Sequence, residues 1–265
     1  MALLNPALAR QQAIRSWELS RRYGIQEAVL VVAAFLVYFT VRGAVVDRAG
    51  EAMVRGFNLI ALEQRLGIYW ELQMQRWILD HYLAIRLMNW VYFWGHMPVV
   101  AALAVYLYAW HRSTYFLTRN AFLISGAIGV VIYWLYPVAP PRLIPFAGFV
   151  DTMAIFDRVS YQAQETQAFV NPFAAMPSLH FGWSMLLGAV VAWVGRRHRV
   201  FIVAGTLWPV AMFFAVVMTG NHFILDAVAG AVVAFAGFGL AYALHCVWPR
   251  IEAWLLDRAR LRAAT

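Results

Sequence analysis

The chain has 265 residues, is 63% hydrophobic and only 13% charged, and carries a formal net charge of +8. A soluble domain is about a quarter charged, so this balance, with a mean hydropathy of +0.64, excludes an ordinary soluble protein and points to a polytopic membrane protein. All 21 basic residues are arginine. They fall between apolar runs rather than on one stripe, which suits orientation in a membrane and argues against a nucleic-acid partner.

In chain order, residues 1–25 are polar and Arg-bearing, without the apolar core and cleavage site of a signal peptide. They read as a cytoplasmic segment ahead of an uncleaved anchor. A crossing helix needs about 20 mostly apolar residues, and six segments qualify: roughly 26–46, 83–110, 117–136, 177–195, 199–219 and 223–247. The second is interrupted by Gly95-His96-Met97-Pro98, where a kink is expected. Between the first two, 49–80 places Met53, Phe57, Ile60, Ala61 and Leu66 at helical spacing, followed by Trp70 and Trp77. That pattern predicts amphipathic helices lying on the outer leaflet. Glu63 reads as a solvated-face residue of that segment. The connection 137–176 is rich in Pro, Gly and aromatics and is expected to cap something. Residues 248–265 form a cytoplasmic tail, and 26–247 reads as one domain without repeat or linker. Cys246 is the only cysteine, so no intramolecular disulfide or thiolate cluster forms. The expected fold is all-α: an integral membrane six-helix transmembrane bundle with interfacial amphipathic helices on the outer side.

Charge sets the orientation. With the N-terminus inside, the inner side receives Arg10, Arg15, Arg21, Arg22, Arg112, Arg119, Arg196, Arg197, Arg199 and the C-terminal arginines, while outer segments mix fewer arginines with acids. Both termini are therefore expected in the cytoplasm. Spans four and six then run from outside to inside. Ser178 and His180 of AAMPSLHFGW stand at the outer start of one, and His222 and Asp226 of TGNHFILDAVAG at the outer start of the other. Pro140-Pro141-Arg142 lies on the same side.

Each of these residues has a chemical use. His222 and Asp226 are four apart and share a helix face. A carboxylate there can fix the imidazole tautomer and leave the other ring nitrogen as a directed nucleophile. His180, near an unperturbed pKa of about 6.5, suits a general acid that later acts as base. Pro177 suits a first helical turn, whose free N–H groups, with the Ser178 hydroxyl, make an anion seat. Arg142 adds a bidentate grip on phosphate. His96 is expected to stabilise the kink or line the site, and Asn221 to line it. The same His/Asp cluster also fits a membrane metal-dependent hydrolase with His180, His222 and Asp226 as ligands, or a transporter or proton relay. Against the relay, spans three and five carry almost no ionisable residue.

MPSLH followed by H-x-x-x-D at the head of the last span resembles the type-2 phosphatidic acid phosphatase superfamily. AAMPSLH preceded by APPR is most similar to its inositol phosphorylceramide synthase (aureobasidin-resistance) branch. The resemblance implies that His222 attacks phosphorus to give a phosphohistidine, that Asp226 orients it, and that His180 protonates the leaving group. The superfamily's first motif, K-x6-R-P, has Leu135 and Leu143 at its lysine and proline, and the S-R of its last motif is replaced by Ala215 and Val216. Arg142 is then the surviving phosphate-binding cation. The implied protein is a lipid-phosphate phosphatase or phosphotransferase in a bacterial inner membrane, with its site on the outer side. Arginine and a helix N-terminus supply its positive field, so no metal or cofactor is called for.

Overall fold

The computed structural model describes residues 24–34, 36–37, 48–157 and 172–263. Positions 38–46 of the first expected span, and 158–171 of the long connection, lie outside them. Nine α-helices are described: α1 Gly24–Ala34, α2 Ala49–Leu66, α3 Glu71–Leu79, α4 Tyr82–Phe93, α5 His96–Trp110, α6 Arg112–Leu135, α7 Leu179–Val194, α8 Arg199–Met218 and α9 Ile224–Ala263, with short 3-10 and π turns at Pro141–Leu143 and Met153–Asp157. Among the described residues the β content is a single isolated bridge between Val138 and Ala174.

Among the described residues, three helices are long and apolar enough to cross a membrane: α6, α8 and the Ile224–Trp248 part of α9. The α4–α5 pair, bent by 46°, makes a fourth. Its break falls at Trp94-Gly95. Pro98 has no N–H for the Trp94 carbonyl, so the helical ladder cannot run through this point. Two of the six expected segments are shorter apolar helices. α1 covers Gly24–Ala34 of the first, and α7 begins only at Leu179, with Ser178 as its N-cap. The 16 residues of α7 rise about 24 Å, less than the ~30 Å of a bilayer core. Pro177 thus precedes the cap, behind a cis Met176–Pro177 bond, instead of opening the first turn. α9 continues unbroken through the boundary expected at 247, as far as Ala263.

The burial pattern inverts that of a soluble bundle. Leu207, Val210, Val232 and Leu240 stand exposed on α8 and α9, while Asn89, Ser125 and Ser184 are buried. Inside, Ser125 Oγ donates to the Ala121 carbonyl and accepts from Trp183 Nε1 at 3.0 Å. Polar pairing and small residues, rather than expulsion of apolar surface from water, hold helices together in lipid. α9 packs on α6 and α7, α7 on α8, and α8 on α3 and α4.

The tightest crossing is α7 over α9. A Cβ built on Gly182 runs into the Gly230 carbonyl, and one on Gly230 into the Ser178 carbonyl. Both atoms are backbone, so the helices themselves would have to part. Gly230→Val is expected to destabilise by about 1–3 kcal/mol through overpacking, read as a lower Tm in detergent. Gly239→Ala, with no atom within 4 Å of the added Cβ, should leave Tm unchanged or raised.

Candidate active site

The connection from α8 to α9 is five residues long, Thr219 to Phe223, and each is fixed. Gly220 adopts φ 73°, the left-handed conformation that glycine enters without steric cost. Its N–H donates to the Val217 carbonyl at 3.0 Å, and the Asn221 N–H to the Val216 carbonyl at 3.1 Å, which together close a Schellman turn. The His222 N–H donates to the same Val216 carbonyl at 3.0 Å. Asn221 Nδ2 donates to Thr219 Oγ1 at 2.7 Å, and that hydroxyl donates to the Ala215 carbonyl. Asn221, expected to line the site, is 2% exposed and helps to build this turn.

His222 is buried at 5% exposure, and its Nδ1 lies 2.8 Å from the Ala175 carbonyl. A carbonyl only accepts, so Nδ1 carries a proton, and in the neutral imidazole it is Nε2 that has the lone pair. Asp226 Oδ2 is 3.5 Å from the same Nδ1 and accepts the Phe223 N–H at 2.8 Å. The sequence assigned tautomer control to Asp226; the shorter contact belongs to a backbone carbonyl, and Asp226 also caps the start of α9. Ala175 is held by a clasp between the two ends of the α6–α7 connection: the Val138 N–H donates to the Phe173 carbonyl, and the Ala175 N–H to the Val138 carbonyl. Tyr133 Oη donates to the Pro177 carbonyl at 2.6 Å.

The second histidine stands close by. The His180 ring centroid is 6.2 Å from that of His222, 4.8 Å from His96 and 4.6 Å from Tyr92. His96 is 1% exposed, stacks on Trp183, and has Nδ1 3.4 Å from Ser184 Oγ. It therefore packs against the His180 ring besides sitting at the kink. Arg142 is held next to the His222 turn by its own backbone, whose N–H donates to the Gly220 carbonyl at 2.9 Å. Its Nε is 3.3 Å from Asp151 Oδ2. Ser178 is fully buried; its N–H donates to the Asp226 carbonyl and its Oγ accepts from the Phe181 N–H. His222, Asp226, Ser178, His180 and His96 thus form one neighbourhood, with Arg142 at the adjoining turn. Among the described residues, no three His, Cys, Asp or Glu side chains are disposed to hold a metal ion.

Several participants carry no clear mark in the sequence. Tyr92, the Ala175 carbonyl and Asp151 are three. Two more are Glu63 and Glu71, both 0% exposed, so Glu63 is not on a solvated face. Glu63 Oε1 accepts from the Leu225 N–H and Glu71 Oε1 from the Ile224 N–H, each at 2.8 Å. The signal for Glu63 was its register with Ala52, Gly56 and Leu59, the buried stripe of α2.

The chain is similar to the phosphoinositol dihydroceramide synthase of Bacteroides thetaiotaomicron, 26% identical over 166 residues. That match covers 55% of this chain and 51% of the relative, so it spans about half of each. No solved structure matches the chain. A family model for the PAP2 superfamily matches residues 58–240, which include α3 through the first part of α9 and every site residue named above. The chain belongs to the PAP2 superfamily.

Proposed function

We propose that the protein is an integral membrane phosphotransferase that moves a phosphoryl group, or a phosphate-linked head group, from a lipid through a covalent bond to His222. The observation that carries this reading is the 2.8 Å contact between His222 Nδ1 and the Ala175 carbonyl, which leaves Nε2 with its lone pair in the tautomer a nucleophile needs. In the first step Nε2 attacks phosphorus, the P–O bond to the leaving alcohol breaks, and His180 gives that oxygen its proton. In the second, an acceptor hydroxyl gives its proton to His180 and attacks phosphorus, breaking the N–P bond and restoring both histidines. Arg142 neutralises the equatorial oxygens as charge develops there. The mechanism needs no metal.

Water as acceptor makes the enzyme a phosphatase, and an alcohol makes it a transferase. The relative is named as a synthase of phosphoinositol dihydroceramide, which supports transfer to a lipid alcohol. We infer six crossings, with α1 and α7 completing the four that are long enough; the arginine distribution supports both termini on the cytoplasmic side, which puts the reacting histidines at the outer interface of a bacterial inner membrane. α2 and α3 then lie along that interface, where exposed Trp70 and Trp77 suit the head-group region.

Head-group transfer and phosphate release should be assayed with detergent-purified protein in EDTA, on a panel of lipid phosphates and phosphodiesters. Wild type should turn over at least one lipid in EDTA. His222→Ala should fall to background, and His180→Ala should lose about 10²–10⁴ in kcat. Equal activity of wild type and His222→Ala on every lipid would refute the reading. Arg142→Ala should lose about 10²–10³ in kcat/KM, and Arg142→Lys should not restore it, because an ammonium lacks the planar fork. Full activity of Arg142→Lys would remove the bidentate role.

A further inference from the structure

The start of α9 has three backbone N–H groups in a row that meet carboxylates: Phe223 to Asp226, Ile224 to Glu71, and Leu225 to Glu63, each at 2.8 Å. The first turn of any helix leaves N–H groups without intrahelical acceptors, and its dipole favours negative charge there. Asp226 serves its own helix. Glu63 and Glu71 come from elsewhere in the chain, from the buried faces of α2 and α3. Burial, and then its hydrogen bond to Glu71, push the Glu63 carboxyl up to about 9, so at neutral pH it holds a proton. The two remaining oxygens, Oε2 of Glu63 and Oε2 of Glu71, are buried and meet no donor among the described residues. The pair presents its other two oxygens, both Oε1, as acceptors to the first turn of α9.

His222 lies one residue ahead of Phe223, which is fully buried among Ala52, Leu59, Val138 and Phe173. On one side His222 is tied to Val216 by the Schellman turn. On the other its backbone runs into this first turn of α9, while its ring meets the Ala175 carbonyl. We propose that Glu63 and Glu71 are positioning residues for the nucleophile: by taking the Leu225 and Ile224 N–H groups they hold the turn that sets where His222 stands. Neither carboxylate reaches the reacting atoms in this account. The catalytic consequence rests on His222 being the nucleophile, as proposed above; the positional consequence does not.

The test uses Glu63→Leu, Glu71→Leu and the two Gln variants in the full-length protein in detergent. Diethylpyrocarbonate labelling, read peptide by peptide by mass spectrometry, reports the accessibility of each histidine. Leucine removes the acceptor, so the first turn of α9 opens locally and His222 should label about tenfold faster. Buried His96 and exposed His198 should keep their wild-type rates, which a general loosening would not allow. Glu63→Gln keeps an acceptor oxygen and should label like wild type. On any lipid that wild type turns over, the Leu variants should lose about tenfold in kcat at unchanged KM, and Glu63→Gln should not. Unchanged His222 labelling in folded Leu variants would overturn the proposal, as would acceleration of all three histidines together. If the Leu variants do not fold, the Gln variants must fold with slow His222 labelling; Gln variants that also fail, or that label fast, would overturn it. A wild type inactive on every lipid would refute the catalytic reading alone, because labelling still decides the positional one.

Discussion

A helix that begins inside a protein must find acceptors for its first N–H groups, and at α9 that requirement organises the surroundings. Leaving one such group buried and unpaired costs about 1–3 kcal/mol. Phe223, Ile224 and Leu225 avoid the cost by meeting Asp226, Glu71 and Glu63. Three carboxylates are thereby drawn to one helix end, two of them from α2 and α3. This couples the α2–α3 pair to the His222 turn without any side-chain contact to the imidazole.

The same economy of backbone groups sets the rest of the site. Gly220 ends α8 in a left-handed turn whose carbonyl receives Arg142. The clasp of Val138 with Phe173 and Ala175 carries the carbonyl that fixes the His222 tautomer. The close crossing of Gly182 and Gly230 brings α7 against α9, so that His180 and His222, 42 positions apart in sequence, have ring centroids 6.2 Å apart. Side chains supply the chemistry, but backbone carbonyls and turns supply much of the aim.

This division explains what could be read from the sequence. The apolar segments were legible because a bilayer demands continuous apolar runs, and the α4–α5 break was legible because Pro98 removes a donor. The motif residues His180, His222 and Asp226 were legible as ionisable groups in apolar surroundings, which need a reason to be there. The Ala175 carbonyl was not, since any residue provides one. Glu63 was misread because α2 inverts soluble amphipathicity: Phe57, Leu62 and Leu66 are exposed while Ala52, Gly56, Leu59 and Glu63 are buried. The stripe was visible, but the rule that the apolar face is the inner one selects the wrong side in a protein whose outside is lipid. The shortness of α7 was hidden for a related reason. Ser178 spends its backbone N–H on Asp226 and caps a helix that the hydrophobic run alone would have started earlier.

The central claim is a covalent bond between His222 and phosphorus. It is tested most directly by the stereochemical course at phosphorus, using a lipid phosphodiester made chiral with sulfur and following its head group to the acceptor. Two successive in-line displacements, onto Nε2 and then off it, predict net retention. Net inversion would mean that the acceptor attacks the lipid phosphorus directly, and would contradict the account.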